Sequence, residues 1–423
     1  MEKHKETHSG INYTKRRWLV LLASCVINLC IGALYAWSVF AGPMAAYLSG
    51  ISGTELTAAD LAIVFSVGNG LGFITMIGGG FLNQKIGPKW VIFWGGVLFG
   101  LGYVICGFAA DTAMLVVGYG LFSGLAMGLA YGCTISNSVK FFPDKAGLVG
   151  GIATASYGIS TVIIPPIANA LIDSLGVNRA FMTMGAAIIL VVSVFSQMIV
   201  KCPDGFVPDG WTPPAKKEES GAGDIAADMD WKEMLAAPVF YVMLVMLFFG
   251  AVLGMMAISQ ASNIAQSMIG MTPAAAAIVV SILALFNTFG RILAGMVSDR
   301  IGCIQTLTGV FVIAIAAMGI LYISGNGSAA LFYVGICLIG VCFGSFMGVY
   351  PSFTAGQFGR KNSSVNYGIM FIGFNIAGLL GPMIVSRVFQ QTGDYGNAFL
   401  IAMAFAAAGL ALSFVYRRFQ KAE

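Results

Sequence analysis

Twelve apolar stretches, most of them about the 20 residues needed to cross a bilayer, punctuate this 423-residue chain. They lie near 18–40, 59–81, 90–110, 112–139, 146–172, 179–200, 236–258, 273–297, 304–324, 329–352, 364–387 and 396–416. In hydrocarbon each backbone N–H and C=O must find its partner within its own segment, so such runs are expected to be membrane-spanning α-helices. Composition agrees: the chain is 9% charged, against about 25% in soluble domains, too little to cover a water-facing surface. A cleavable signal peptide is not expected. The first run follows Lys15-Arg16-Arg17 but is too long for a signal core and lacks a small-residue cleavage site.

Placing the N-terminus in the cytoplasm puts 19 of the 22 Lys and Arg in the tails and the even-numbered loops. Only Arg179 and Arg387 fall on the opposite side, and Arg291 lies within a span. This asymmetry predicts a multi-pass protein of the plasma (cytoplasmic) membrane with both termini inside. The net charge of +4 is then a topology signal rather than a nucleic-acid footprint.

The second half echoes the first at an offset of 215–216 residues. Gly124, Gly128 and Gly132 match Gly340, Gly344 and Gly348; Phe142-Pro143-Asp144-Lys145 matches Phe358-Gly359-Arg360-Lys361. Pro166 matches Pro382, and the pair Gly80 and Gly87 matches Gly295 and Gly302. Agreement at one offset indicates a duplication of six spans, related by an axis along the membrane normal. The expected organisation is a tail (1–17), a six-helix half (18–200), a linker (201–235), a second half (236–416) and a C-terminal tail (417–423). The linker is polar and holds Pro203, Pro208, Pro213 and Pro214. The glycine stripes Gly120–Gly132 and Gly340–Gly348 allow close helix approach, either as static packing or as smooth faces that slide.

Chemistry-bearing residues are few within the spans. The eight cysteines show no CxxC spacing, and the two histidines, His4 and His8, precede the first span. No metal site, cofactor or catalytic residue is expected, which argues against a membrane redox enzyme. Arg291 is the one charged side chain well inside an apolar run, about two turns before Ser298-Asp299-Arg300. At that depth an arginine costs at least about 2.5–3.5 kcal/mol. It either faces a water-filled cavity or an anion, or it snorkels to the surface or pairs with a neighbouring helix. No Asp or Glu lies deep in another span to pair with it.

Gly295-Met-Val-Ser-Asp299-Arg300-Ile-Gly302 resembles the loop signature G-x-x-x-D-R-x-G of the major facilitator superfamily. The first-half copy, Gly80-Phe-Leu-Asn-Gln84-Lys85-Ile-Gly87, carries Gln84 where the superfamily has Asp. The resemblance covers the whole chain and implies the major facilitator fold, with these two loops as conformational switches. Closer likeness is to the oxalate/formate antiporter branch and the related monocarboxylate transporters. It rests on Tyr35-Ala-Trp37-Ser38, Tyr131-Gly132, the loop Phe141 to Gly147, Ser156-Tyr157-Gly158, Asn287-x-x-x-Arg291 and Asn366-Tyr367-Gly368. In that family the arginine binds the substrate carboxylate inside an aromatic box. By position this implies Arg291 with Tyr35, Tyr131, Tyr157, Phe343 and Phe371.

Two departures sharpen the expectation. The oxalate exchanger that resembles this chain has a lysine where Phe374 stands, so one cation remains for one negative charge. The animal-type carriers that resemble it place an Asp where Asn287 stands, one turn from Arg291. The leading expectation is a monomeric secondary carrier of a small organic anion such as lactate, pyruvate or formate, with a proton or a counter-anion as coupling partner. An oxalate/formate-type exchanger and a non-transporting carboxylate sensor are the alternatives.

Overall fold

The computed structural model describes residues 12–58, 60–212, 228–325 and 327–422. Residues 1–11 of the tail, with His4 and His8, and residues 213–227 of the linker lie outside the described residues. Twelve helices are long and apolar enough to cross a membrane. They are α1 (Tyr13–Ser52), α2 (Ala62–Ile86), α3 (Pro88–Gly107), α4 (Thr112–Phe141), α5 (Ala146–Leu175) and α6 (Val177–Ser196). The remainder are α7 (Pro238–Ile269), α8 (Ala275–Ile301), α9 (Cys303–Ser324), α10 (Ala329–Phe358), α11 (Ser363–Thr392) and α12 (Gly396–Phe419).

Several helices outrun the apolar runs that announce them. The first begins at Tyr13, where the Asn12 side chain accepts the Lys15 amide, so residues assigned to the tail are helical. The last continues to Ala422, and the linker closes with a short helix, Trp231–Ala236, on an Asp230/Glu233 capping box. Hydropathy sees only hydrocarbon; a helix keeps its hydrogen bonds beyond it wherever a cap or a neighbour supports the next turn.

The first six helices share one packing plan with the last six. In each half the second helix packs on the fourth, the third on the sixth and the first on the fifth; that is, α2–α4, α3–α6 and α1–α5 against α8–α10, α9–α12 and α7–α11. Glycine makes the tightest pairs possible: a Cβ on Gly124 would lie 2.6 Å from the Gly68 carbonyl oxygen, and one on Gly348 2.8 Å from the Arg291 Cα. Both glycine stripes therefore pack within a half. Small residues also bring the halves together, Gly147 and Gly151 of α5 lying against α8 and Gly80 of α2 against α11.

The halves meet most closely at the end that carries both termini. There Asn83 Nδ2 donates to Ser364 Oγ at 2.8 Å, and Ser136 Oγ lies 2.7 Å from the same hydroxyl. Lys140 Nζ donates to the Lys361 carbonyl at 2.8 Å. The Arg17 guanidinium, over the Phe142 ring, grips both oxygens of Asp144 at 2.6 and 3.1 Å, the one ion pair among the described residues.

Candidate functional site

Four helices depart from regular α geometry, and three of these departures lie at or beside an expected site residue. α1 tightens to a 3-10 turn over Gly32–Ala36, which contains Tyr35. Such a turn frees carbonyls at membrane depth, and these are taken up: Tyr103 Oη donates to the Ala33 oxygen at 2.6 Å and Tyr119 Oη to the Leu34 oxygen at 2.6 Å. Tyr119 sits in a π-helical stretch of α4, Val116–Ser123. α5 breaks after Gly158, next to Tyr157, and α11 breaks at Phe371. Broken helices at the midplane commonly frame ligand sites in membrane carriers.

Arg291, on α8, is 6% exposed. Its Nη1 donates to the Thr154 carbonyl of α5 at 2.8 Å and its Nε to Asn287 Oδ1 at 3.2 Å. Among the described residues no carboxylate pairs with it. A Cβ added at Gly158 would lie 3.3 Å from the guanidinium carbon, so this glycine makes the room the head group occupies. The partners found are neutral, and no described residue compensates the positive charge.

The guanidinium opens onto a cavity of about 30 Å³ lined by Tyr35, Asn69, Met127, Tyr131, Tyr157, Arg291, Met347, Phe371, Phe374 and Asn375. The rings form a continuous wall: Tyr35–Tyr157 at 5.4 Å, Tyr157–Tyr131 at 4.7 Å, Tyr131–Phe371 at 6.1 Å and Phe371–Phe374 at 4.6 Å, the last pair stacked. The Tyr157 hydroxyl is buried beside Tyr35 and makes no hydrogen bond of ordinary geometry to the described residues. Two expected residues stand apart from the cavity. Phe343 packs behind it, 6.2 Å from the Phe374 ring and close against Gly254. Asn287 holds Arg291 rather than lining the space. Four lining residues escaped sequence reading: Asn69, Met127, Met347 and Asn375. The asparagines had a signal, an amide inside an apolar run; the methionines had none.

The two loops that carry the repeated glycine signature lie at the closed end. Gly87 and Gly302 take φ 81°, ψ 162° and φ 90°, ψ 152°, a region only glycine adopts freely, and each starts the next helix. Gly80 faces the α11 backbone, where a Cβ would lie 2.8 Å from the Val365 Cα; Gly295 likewise faces Gly147 of α5. Asp299 accepts the Gly147 and Leu148 amides at 2.6 and 2.8 Å, capping the first turn of α5 across the half boundary. Gln84 donates to the Asn362 side chain at 3.0 Å. Arg300 is exposed and makes no hydrogen bond or ion pair to the described residues.

Residues 25–382 match the family model of the Major Facilitator Superfamily. The chain is 29% identical to the uncharacterized MFS-type transporter YhjX of Escherichia coli, covering 87% of each chain. It is 27% identical to the oxalate:formate antiporter of Oxalobacter formigenes, over 96% of this chain and 93% of that one. To monocarboxylate transporter 12 of Xenopus laevis it is 25% identical, over 81% and 78% of the two chains. In fold it is similar to the crystal structure of the transporter FucP in the outward conformation, with a TM-score of 0.69, 16% identity and 96% and 99% coverage. Twelve spanning helices, a shared packing plan in the two halves and a match across most of the chain place this protein in the major facilitator superfamily, as an integral membrane transporter.

Proposed function

We propose that the chain is a secondary carrier of small monocarboxylates that binds the carboxylate at Arg291 and works by alternating access. One observation carries the reading: a buried guanidinium without a counter-charge faces a small, ring-walled cavity. A planar guanidinium offers two parallel N–H donors that match a carboxylate, and in a dry site such a bond is stronger than in water. Nη2 carries no hydrogen bond of ordinary geometry to the described residues; the Tyr131 hydroxyl lies beside the guanidinium, and an incoming carboxylate would share its donors with that hydroxyl.

The number of charges follows from the wall. Phe374 stacks on Phe371, and no second cation lines the cavity among the described residues. A dicarboxylate would leave one buried charge unpaired, at a cost of several kcal/mol. The relatives support the substrate class, being named for oxalate and formate in one case and monocarboxylates in another.

With the Lys- and Arg-rich end in the cytoplasm, the closed end is cytoplasmic and the plasma membrane is the host. Among the described residues no hydrogen bond joins the halves on the far side of Arg291, so the closed contacts and the Arg291–Thr154 bond are what a rocking motion must break. Coupling falls to the substrate. Among the described residues no carboxylate or imidazole lines the cavity, so either a counter-anion recharges Arg291 or a proton travels with the acid. An empty Arg291 then resists crossing.

Counterflow of labelled lactate in proteoliposomes tests the proposal. The wild type should exchange lactate, faster than it takes it up without internal substrate at matched pH. Arg291→Ala should abolish exchange while leaving membrane insertion intact, and Arg291→Lys should be severely impaired because an ammonium lacks the two-donor fork. Normal exchange by the Ala variant would remove Arg291 from the site. Efficient oxalate exchange by the wild type would break the one-charge argument, and Phe374→Lys should instead create it.

A further inference from the structure

The stretch of α5 that meets Arg291 carries mostly small side chains. Gly147, Gly150, Gly151, Ala153, Ala155 and Gly158 all fall within Ala146–Gly158. A Cβ on Gly151 would lie 2.3 Å from the Arg291 carbonyl oxygen, so this stretch lies flush on α8 of the other half. Such a smooth helix gives its own half little to grip. The grip comes from a buried amide on α1. Asn28, fully buried, donates through Nδ2 to the Ala153 carbonyl at 2.8 Å. Its Oδ1 lies 2.6 Å from Thr134 Oγ1 of α4, which is also fully buried. A backbone carbonyl accepts only a donor, so Nδ2 faces α5 and Oδ1 takes the Thr134 proton. One side chain thus ties three helices of the first half.

Ala153 directly precedes Thr154, whose carbonyl holds Arg291. Successive residues of a helix are turned by about 100°, so α5 is held by its own half on one side and by the other half on the next. The second half makes the comparable tie without a third arm. Tyr350 of α10, 216 residues after Thr134, donates to the Met243 carbonyl of α7 at 2.9 Å. Among the described residues no hydrogen bond runs on from that pair to α11. Six helices therefore pack without the third arm, and the half that has one places it behind the carbonyl that Arg291 uses. We propose that Asn28 is a positioning residue for transport, holding the Thr154 carbonyl where the empty Arg291 docks. The role rests on the monocarboxylate reading above and extends it to a residue outside the cavity. A bound carboxylate satisfies the guanidinium by itself, so Asn28 weighs on the empty carrier more than on the loaded one. Without it α5 shifts on its smooth faces, the Thr154 carbonyl leaves Arg291, and the empty carrier crosses more easily.

The test uses the full chain in proteoliposomes, reading net uptake and counterflow of labelled lactate on one preparation at matched pH. The ratio of the two cancels the amount of folded carrier. A residue that only stabilised the bundle would lower both rates together and leave the ratio where it was. Asn28→Leu should raise net uptake relative to counterflow by about threefold or more, the scale of one buried neutral hydrogen bond. Thr134→Val, which keeps the side-chain shape and loses the hydroxyl, should move the ratio the same way by about twofold. Thr134→Ser, which keeps the hydroxyl, should stay at the wild-type ratio. An unchanged or lower ratio in Asn28→Leu, or in Thr134→Val should Asn28→Leu fail to insert, would overturn the positioning role and leave the carrier reading standing. Equal ratios for Thr134→Val and Thr134→Ser would also overturn it. A wild type that exchanges no lactate would overturn the monocarboxylate reading, and this inference with it.

Discussion

The two corners where the halves lock are built on one plan and bonded differently. At α8–α5, a single carboxylate, Asp299, takes two amides from the first turn of the facing helix. At α2–α11, the equivalent Gln84 reaches only a side chain, and the neighbouring Asn83 joins Ser136 and Ser364 in a neutral chain of hydrogen bonds. The α11 N-terminus is not left bare. Asp228, at the end of the linker, accepts the Lys361 amide at 2.9 Å, and the Met229 carbonyl accepts from Asn362 and Asn366 at 3.0 and 3.1 Å. Where the partner half supplies the negative charge for α5, the linker supplies it for α11. The first arrangement ties helix capping to closure; the second sets a linker carboxylate just ahead of the α11 N-terminus, independent of the partner half.

The steric part of the two corners should behave alike, and it gives the largest effect. Gly295→Ala and Gly80→Ala each put a methyl into facing backbone, so each should hold the terminal end open and lower exchange by about tenfold or more. The measurement is the rate at which a membrane-impermeant thiol reagent modifies a Ser136→Cys variant in a cysteine-free background, position 136 lying against Ser364 across the half boundary. A large rise for one glycine and none for the other would break the symmetry of the close contacts.

The polar part should differ. Asp299→Ala removes two bonds to a helix start and should cost about 1–2 kcal/mol of the closed state, whereas Gln84→Ala should cost about 0.5 kcal/mol or less. Hydrogen exchange separates them: the Gly147 and Leu148 amides should lose protection in the first variant, and the α11 first turn should keep it in the second. Equal losses would mean that the carboxylate matters no more than the amide. Smallest is the effect of Gln84→Asp. With Asp228 already at the same helix start, the new charge should bring almost no gain in closure. In an Asp228→Asn background it should bring about 0.3–1 kcal/mol. A double-mutant cycle of the two sites reads the difference.

The sequence makes the spans and the arginine legible for a simple reason: hydrophobic length and buried charge are one-dimensional signals. Orientation about the helix axis is not. These helices are apolar on every side, so periodicity cannot say which face meets a cavity and which meets lipid. That is why Phe343 stands one layer behind the wall while Met127 and Met347 line it. It is also why the 3-10 turn at Tyr35 was invisible: its freed carbonyls are met by tyrosines 70 and 85 residues away. Asn287 remained beside Arg291 because four residues along one helix are adjacent in any fold. The Thr154 carbonyl, a backbone group 137 residues from its partner, had no signature in side-chain letters.

The Arg17–Asp144 grip has a consequence for the order in which this protein is made. The cation emerges with the first helix, and its carboxylate follows 127 residues later. At about 5–20 residues per second, the ribosome needs on the order of ten seconds to close that gap. During this interval α1 waits in the membrane with Arg17 reaching for water or lipid phosphate, and the arrival of Asp144 marks the moment when the first helix settles. Arg291 meets the reverse situation. Its carbonyl partner is translated first, so the deepest charge in the chain enters a bilayer where an acceptor is already in place.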